Sequence, residues 1–340
     1  MANKFFSKIQ FGKETTRGTA VAADTLIMGA QMTALVNDRN PQTVAEDIGI
    51  RAQGIRKAVD QYLVTDTLSI QRGYFQVLPW ILGTGLKGGV TPSEVTPGQG
   101  DYLWTFLPSL ASGASNAPDS STIEKGDDTQ AYEAEYAMFS RVKLSGQVAQ
   151  GSEQAAVAIE GEFFARRWTA TTFTGAISIP TVNDLNAKLS RAYLDTTWAG
   201  LGGTELAGLL RGFELDIVTG AQPTFTGSGD KFFTTYREGI IGAMLTLDLE
   251  RGATSNAAWS AFMTDIQTHK FMQLKLTGPQ IGSGTTHTAI FNVGGQYMPV
   301  TAMNAEDRGN HIDRIVLDGL YDTTSAKLFE AKITTNVASY

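Results

Sequence analysis

Leu68-Ser69-Ile70-Gln71-Arg72-Gly73, with Trp80 seven residues after its glycine, returns later as Leu247-Asp248-Leu249-Glu250-Arg251-Gly252, with Trp259 at the same distance. Leu68 and Ile70 alternate with polar neighbours, as do Leu245, Leu247 and Leu249. That is the period-two pattern of a half-buried strand. Each strand stops at its Arg-Gly pair. In the second copy Trp259, Phe262, Met263 and Ile266 then fall at i, i+3, i+4 and i+7, one apolar stripe of a helix, with Ser255 or Asn256 as N-cap. Tyr74, Val77, Leu78 and Ile81 repeat the spacing in the first copy, where Pro79 predicts a shorter or kinked helix. Each Trp reads as a core anchor between helix and sheet rather than as a ligand contact.

A second pair of motifs follows in the same order: Ser140-Arg141-Val142-Lys143-Leu144-Ser145-Gly146 and Asp313-Arg314-Ile315-Val316-Leu317-Asp318-Gly319. The two offsets, 179 and 173 residues, nearly agree, so duplication is the better reading. It divides the chain into two β-rich units, 1–168 and 169–340, with 169–210 supplying a linker and the second unit's first strand. Each unit ends in a predicted hairpin, Val142 and Leu144 turning back to Val157 and Ile159, and Ile315 and Leu317 to Leu328 and Ile333. Residues 85–135 have no good counterpart. They are rich in Gly, Pro and Ser, and toward their end acidic, with Asp119, Glu124, Asp127 and Asp128 around Lys125. Tyr102, Leu103, Trp104, Phe106 and Leu107 predict a strand or docking segment inside this long loop.

Composition agrees with a mainly β chain carrying short helices. Of 340 residues, 36 are Gly and only 10 Pro, which favours short strands joined by glycine turns. Charged residues, at 18%, fall below the ~25% of ordinary soluble domains, as suits a subunit that hides surface in an assembly. The net charge is −7 and no Lys/Arg cluster occurs, which argues against tight nucleic-acid binding. No cysteine is present, so disulfides and thiolate metal sites are excluded. Met1-Ala2-Asn3-Lys4-Phe5-Phe6-Ser7-Lys8 lacks a signal peptide's apolar core, and the longest apolar run, near Val77–Leu86, is too short for a membrane span. A soluble protein made in a cytoplasm is expected.

Catalytic and cofactor motifs are not found. Gly83-Thr84-Gly85-Leu86-Lys87-Gly88 fits G-x-G-x-x-G but follows the expected helix instead of preceding one, so it reads as helix termination. His269, His287 and His311 have no partner at metal-ligand spacing, and His269 is expected in the last turn of the second helix. The acidic run lacks the rhythm of a calcium loop. No cofactor, metal or catalytic residue is expected. A saccharide groove lined by Tyr102, Trp104 and Trp198 is an alternative of a different class.

Ile9-Gln10-Phe11-Gly12-Lys13-Glu14-Thr15-Thr16-Arg17-Gly18-Thr19-Ala20 resembles the G-x-E-x-x-x-G-T opening of siphophage tail tube proteins, also called major tail proteins. Leu78-Pro79-Trp80-Ile81-Leu82-Gly83, Tyr102–Phe106 with Thr122–Gly126, Glu306-Asp307-Arg308-Gly309 and Gly319-Leu320-Tyr321-Asp322 are similar to the same family in the same order. The resemblance implies tandem β-sandwich units with a flanking helix, whose inner sheets join neighbours into a β-barrel ring. It implies rings stacked through a long loop and extended termini into a hollow tube in the virion tail, through which DNA passes without specific binding. Duplicated members form trimers with pseudo-sixfold symmetry. Tape measure, tail terminator and distal tail proteins are the implied partners. On this reading Asp119, Glu124, Lys125, Asp127 and Asp128 mark the candidate ring-stacking loop, with the N-terminal arm. Arg72, Gly73, Trp80, Arg251, Gly252 and Trp259 are the repeat's anchors. Another virion β-protein, from the baseplate or a decoration, is the runner-up.

Overall fold

The computed structural model describes every residue except 1–6, 33–38, 47, 52–53, 149–154, 265–266, 299–304 and 308–309; for 40, 258–259, 261–264, 305–307 and 310 it describes the backbone alone. The chain is mainly β. Its first half runs β1 (Lys8–Lys13), β2 (Thr25–Leu26), β3 (Ala30–Met32), β4 (Arg39–Thr43), β5 (Lys57–Tyr62), β6 (Val64–Ile70), α1 (Leu78–Gly85), β7 (Ser93–Glu94), β8 (Tyr102–Phe106), β9 (Ser121–Gly126), β10 (Ala131–Gln147), β11 (Val157–Ala165) and β12 (Trp168–Thr171). The second half runs β13 (Ser190–Asp195), β14 (Leu210–Val218), β15 (Ala221–Thr224), β16 (Thr235–Glu238), β17 (Gly242–Glu250), α2 (Ala253–Thr264), β18 (Lys270–Gln280), β19 (Thr286–Tyr297), β20 (Ala305–Asp307), β21 (Asn310–Gly319) and β22 (Phe329–Thr335).

One order of antiparallel ladders occurs twice. β1 with β9, β9 with β10, β10 with β12, β3 with β6 and β6 with β11 recur as β13 with β18, β18 with β19, β19 with β22, β14 with β17 and β17 with β21. Registers match as well. Ala30 faces Ile70 where Leu210 faces Leu249, and in the hairpins Pro41 faces Val59 where Ala221 faces Glu238. The motif ending at Trp80 and Trp259 thus marks a true equivalence, β6–α1 with β17–α2. The motif around Arg141 and Arg314 does not. Arg141 lies in β10, whereas Arg314 lies in β21, which occupies the place of β11 beside the equivalent of β6. The expected hairpin between 313–319 and 326–337 is therefore absent: β22 leaves β21 and pairs with β19 and β8. In the first half the expected hairpin forms, as β10 with β11. β12 completes the first set of ladders at Thr171, a few residues beyond the boundary expected at 168.

β10 serves two sheets by bending. Residues 131–134 pair with β9 and β12, the ladder shifts register, Tyr136 takes φ +60°, and from Met138 onward the strand pairs with β11 and from Arg141 with β14. A bulge of this kind turns a strand from one sheet into the other. β19 makes the same passage, from β22 at 288–293 to β21 at 295–297. β14, of the second half, then pairs with β10, of the first, so one sheet runs β3–β6–β11–β10–β14–β17–β21–β20 through both halves. No path through the ladders of the described residues returns to its start, so the sheet is open and not a closed barrel.

Pro79 takes the second position of α1, where its missing N–H costs nothing, and a 3-10 turn at Phe75–Val77 precedes it; α1 begins at Leu78 and, at 8 residues against 12 in α2, is the shorter helix. In α2 the expected cap moves. The helix starts at Ala253, and Ser255 sits inside its first turn with Oγ accepting from the Gly252 N–H at 2.7 Å. The side chains of Trp259, Phe262 and Met263, and Ile266 as a whole, lie outside the described residues. His269 follows α2 instead of ending it.

Residues 85–135 are not one loop. β9 is an inner strand between β1 and β10, and β8 crosses to the second half, where it pairs with β22. Trp104 is 2% exposed, its Nε1–H donating to the Val337 carbonyl, and Trp104 packs against Phe106 and Tyr340. One contiguous buried cluster includes Phe11, Leu68, Trp80, Leu144, Leu215, Leu247, Phe291 and Ile333, from both halves.

Burial pushes two phenols of this interior, Tyr74 and Tyr297, up to about 12; the Met28 N–H donating to Tyr74 only partly opposes the effect. In the unfolded chain they ionise near pH 10. Their contribution is therefore complete below pH 10 and is lost as pH rises toward 12, by roughly 2–3 kcal/mol each. Thermal melts between pH 9 and 12 should show a steep fall in Tm, shallower in Tyr74→Phe.

Candidate assembly surface

The alternation of the long sheet puts most of its apolar residues on one side and a charged field, with Val218, Met244 and Val316 among it, on the other. On the polar side stand Glu160 and Glu162 of β11, Arg141 and Lys143 of β10, Glu214 and Asp216 of β14, Asp248 of β17, and Arg314 and Asp318 of β21. Six are carboxylates and three are cations, so the face carries a surplus of three negative charges. Cations bridge neighbouring strands. Arg141 binds Asp216 through Nε at 2.8 Å and Nη2 at 2.5 Å and reaches Glu162 at 3.3 Å; Lys143 binds Glu214 at 3.0 Å. Arg314 grips Asp248 at 2.6 and 2.9 Å. The paired carboxylates hold both guanidinium groups above their ordinary range, Asp216 for Arg141 and Asp248 for Arg314. A shallow groove of about 760 Å³ runs over this face, lined in part by Ser145, Glu214, Thr246, Asp248 and Arg314.

The sheet ends in two unlike edges. β3 has β6 on one side, β20 has β21 on one side, and among the described residues neither has a strand on the other. An unpaired edge is a template for another chain.

Two hairpins project from the sheet, β4–β5 and β15–β16. The second folds back on the first half. Its Phe233 is fully buried against Tyr136 and Phe164, Arg166 donates to the Phe233 carbonyl at 3.3 Å, and the guanidinium lies 4.6 Å from the Phe232 ring. The opening motif seats that arginine. Glu14 is buried and accepts from Gly18 N, Ser120 Oγ, Thr122 Oγ1 and Tyr136 N. Gly18, at φ +72°, gives its carbonyl to Arg166 at 2.7 Å, and a Cβ there would fall 2.6 Å from the guanidinium. The two hairpins and Arg166 carry no motif of their own in the sequence; the Gly12–Glu14–Gly18 spacing is the signal that lies nearest to this seat.

The residues expected to form one stacking loop are scattered. Asp119 is a hub, binding Lys13 Nζ at 2.9 Å, the Tyr340 hydroxyl at 2.9 Å and the Gly89 N–H. Glu124 is buried within β9 and bonded to Gln10 and Thr174. Lys125 is half-buried beside Asp66, and burial lowers its affinity for a proton. Only Asp127 and Asp128 sit at a turn, with Asp128 exposed. Among the repeat's anchors, Trp80 is buried, stacked 3.9 Å from Phe11, edge-on to Phe139, with Nε1–H donating to Ser121. Arg72 meets Asp184 at the surface, and Arg251 lies 3.9 Å from Asp313. Gly73 donates to the Val157 carbonyl, and a Cβ there would strike Ile159.

Gly83 and Gly85 end α1 inside the core, where a Cβ on Gly83 would overlap the Tyr340 hydroxyl; no strand-to-helix phosphate cradle exists there. The saccharide groove does not form, since Trp104 is interior and Trp198 packs on Phe271 under Lys327. Among the described residues no group of three or more His, Asp or Glu could hold a metal ion, and no helix is long and apolar enough to cross a membrane. No family profile matches the sequence and no curated protein matches it significantly.

Asp119→Ala should cost about 2 kcal/mol of monomer stability, because it strands a half-buried phenol and a lysine. Asp128→Ala should stay within about 0.5 kcal/mol. Urea unfolding of the two variants measures both.

Proposed function

We propose that this chain is a structural subunit of a phage tail tube, a non-enzymatic protein of the virion that assembles with copies of itself. The observation that carries the proposal is the repeated ladder order, in which β14 of the second set fills the edge of β10 in the first. β20 then offers an edge of the same kind, and β3, the equivalent of β14, is the strand that would fill it on another copy. A contact between unlike surfaces of identical chains is head-to-tail, and such contacts close into rings when the rotation permits. Two sandwich units per chain favour a trimer with six units, as the resemblance to duplicated tail tube proteins implies. Repetition of β10–β14 between chains would turn the open sheet into a barrel.

The charged face supports the same reading. On the concave side of a ring it would line the lumen, and its negative surplus repels phosphates while its cations are already engaged by carboxylates. DNA would pass without being held. A decoration or baseplate protein would form closed oligomers but no filament, which is what separates it from a tube subunit.

Electron microscopy of purified protein over a range of concentrations tests the reading: rings or hollow tubes are expected, and a persistent monomer would reject it. The lumen has its own test. Wild-type particles should leave duplex DNA unretarded on a gel at 50 mM salt. Glu160→Lys/Glu162→Lys/Asp318→Lys particles should retard it, the shift vanishing at high salt. Equal retardation of both would refute an inward charged face.

A further inference from the structure

The hairpins β4–β5 and β15–β16 are equivalents by register, yet among the described residues only β15–β16 has its tip seated against the sheet. β15–β16 buries Phe233 against Tyr136 at the bend of β10 and Phe164 near the end of β11. β4–β5 leaves Ile48, Ile50 and Ile55 exposed at 44, 56 and 75%. The equivalent of the first half's seat is also open. Phe164 pairs with Thr65 and Asp318 with Met244, and Thr65 and Met244 are the same position in β6 and β17. Phe164, Ala165 and Arg166 therefore correspond to Asp318, Gly319 and Leu320. Leu320 and the adjoining Tyr321 stand 38 and 49% exposed, and Asp318 is exposed beside them.

We infer that the β4–β5 hairpin of one copy docks on Leu320 and Tyr321 of a second copy, in the manner in which β15–β16 docks on Phe164 and Arg166 within the chain. The occupant is a second copy for a geometric reason. β4–β5 springs from the β3–β6 end of the sheet, and β21 lies five strands away, about 24 Å at the usual spacing. Its own base is already engaged elsewhere, the Tyr62 N–H donating to the Lys231 carbonyl at 2.7 Å. Charge agrees, since Arg51 is exposed on the hairpin and Asp318 at the seat. The contact replaces exposed isoleucine with buried apolar surface, the term that dominates association. It rests on the head-to-tail assembly proposed above, and names the residues that fix its direction.

Because the chain contains no cysteine, introduced thiols report this contact alone. Ile55→Cys and Tyr321→Cys single variants, mixed under assembling conditions and treated with a short bismaleimide, should give a covalent dimer on a denaturing gel. Each variant alone should give far less. Leu320→Asp/Tyr321→Asp, at exposed positions, should keep the wild-type melting curve while losing at least tenfold in assembly. Particles that form normally from this double variant, with no cross-link in the mixture, would overturn the docking and leave the tube reading standing. A cross-linked dimer that never closes into a ring would keep the docking and reject the tube. A wild-type chain that stays monomeric rejects both.

Discussion

The ladder between β10 and β14, from Arg141 opposite Val218 to Gln147 opposite Gly212, is the contact on which the architecture depends. Among the described residues it is the only strand pairing by which the long sheet passes from the first set of ladders to the second. Arg141 and Asp216 reinforce it with a two-point ion pair, and Thr219 Oγ1 donates to the Phe139 carbonyl just past its end. Such a pair adds geometric specificity by fixing which residues face each other. Everything downstream follows from that register: the seating of the β15–β16 hairpin, the continuity of the charged face, and the existence of one unfilled edge of each kind.

A second connection keeps the two halves from separating. β8 lies against β22, Trp104 donates to the Val337 carbonyl, and Tyr340 reaches back to Asp119 beside α1. The first half thereby supplies strands to the second half's sheet, and the second half supplies a ring to the first half's helix. Residues 86–120, which have no equivalent in the second set, provide this exchange. Their length reflects an internal clasp, and their acidic residues are mostly spoken for inside the chain.

The fold was legible where pattern and punctuation coincide. The Arg-Gly stop and the Trp seven residues on locate β6–α1 and β17–α2 because a strand end and a helix anchor occur together. The second motif pair misled because β10 and β21 lie in one sheet with the same inside–outside alternation, each presenting an arginine to the same face. Arg141 and Arg314 even perform the same task, gripping Asp216 and Asp248 on the neighbouring strand. Period-two patterning identifies a face, not a position in the sheet order, and only the ladders decide that. The hairpins were missed for another reason: β4 and β15 are short and polar, each contains a proline, and their importance lies in what they touch. Glu14 was visible in its motif, but its role in holding the turn that seats Arg166 depends on residues more than 100 positions away.

A cryo-EM map of the assembled particle tests the central claim most directly. The account predicts a closed ring of three chains in which β3 of each chain pairs antiparallel with β20 of the next, repeating the β10–β14 register at every junction. A particle in which both edges face solvent, or in which like edges meet across a twofold axis, would contradict it.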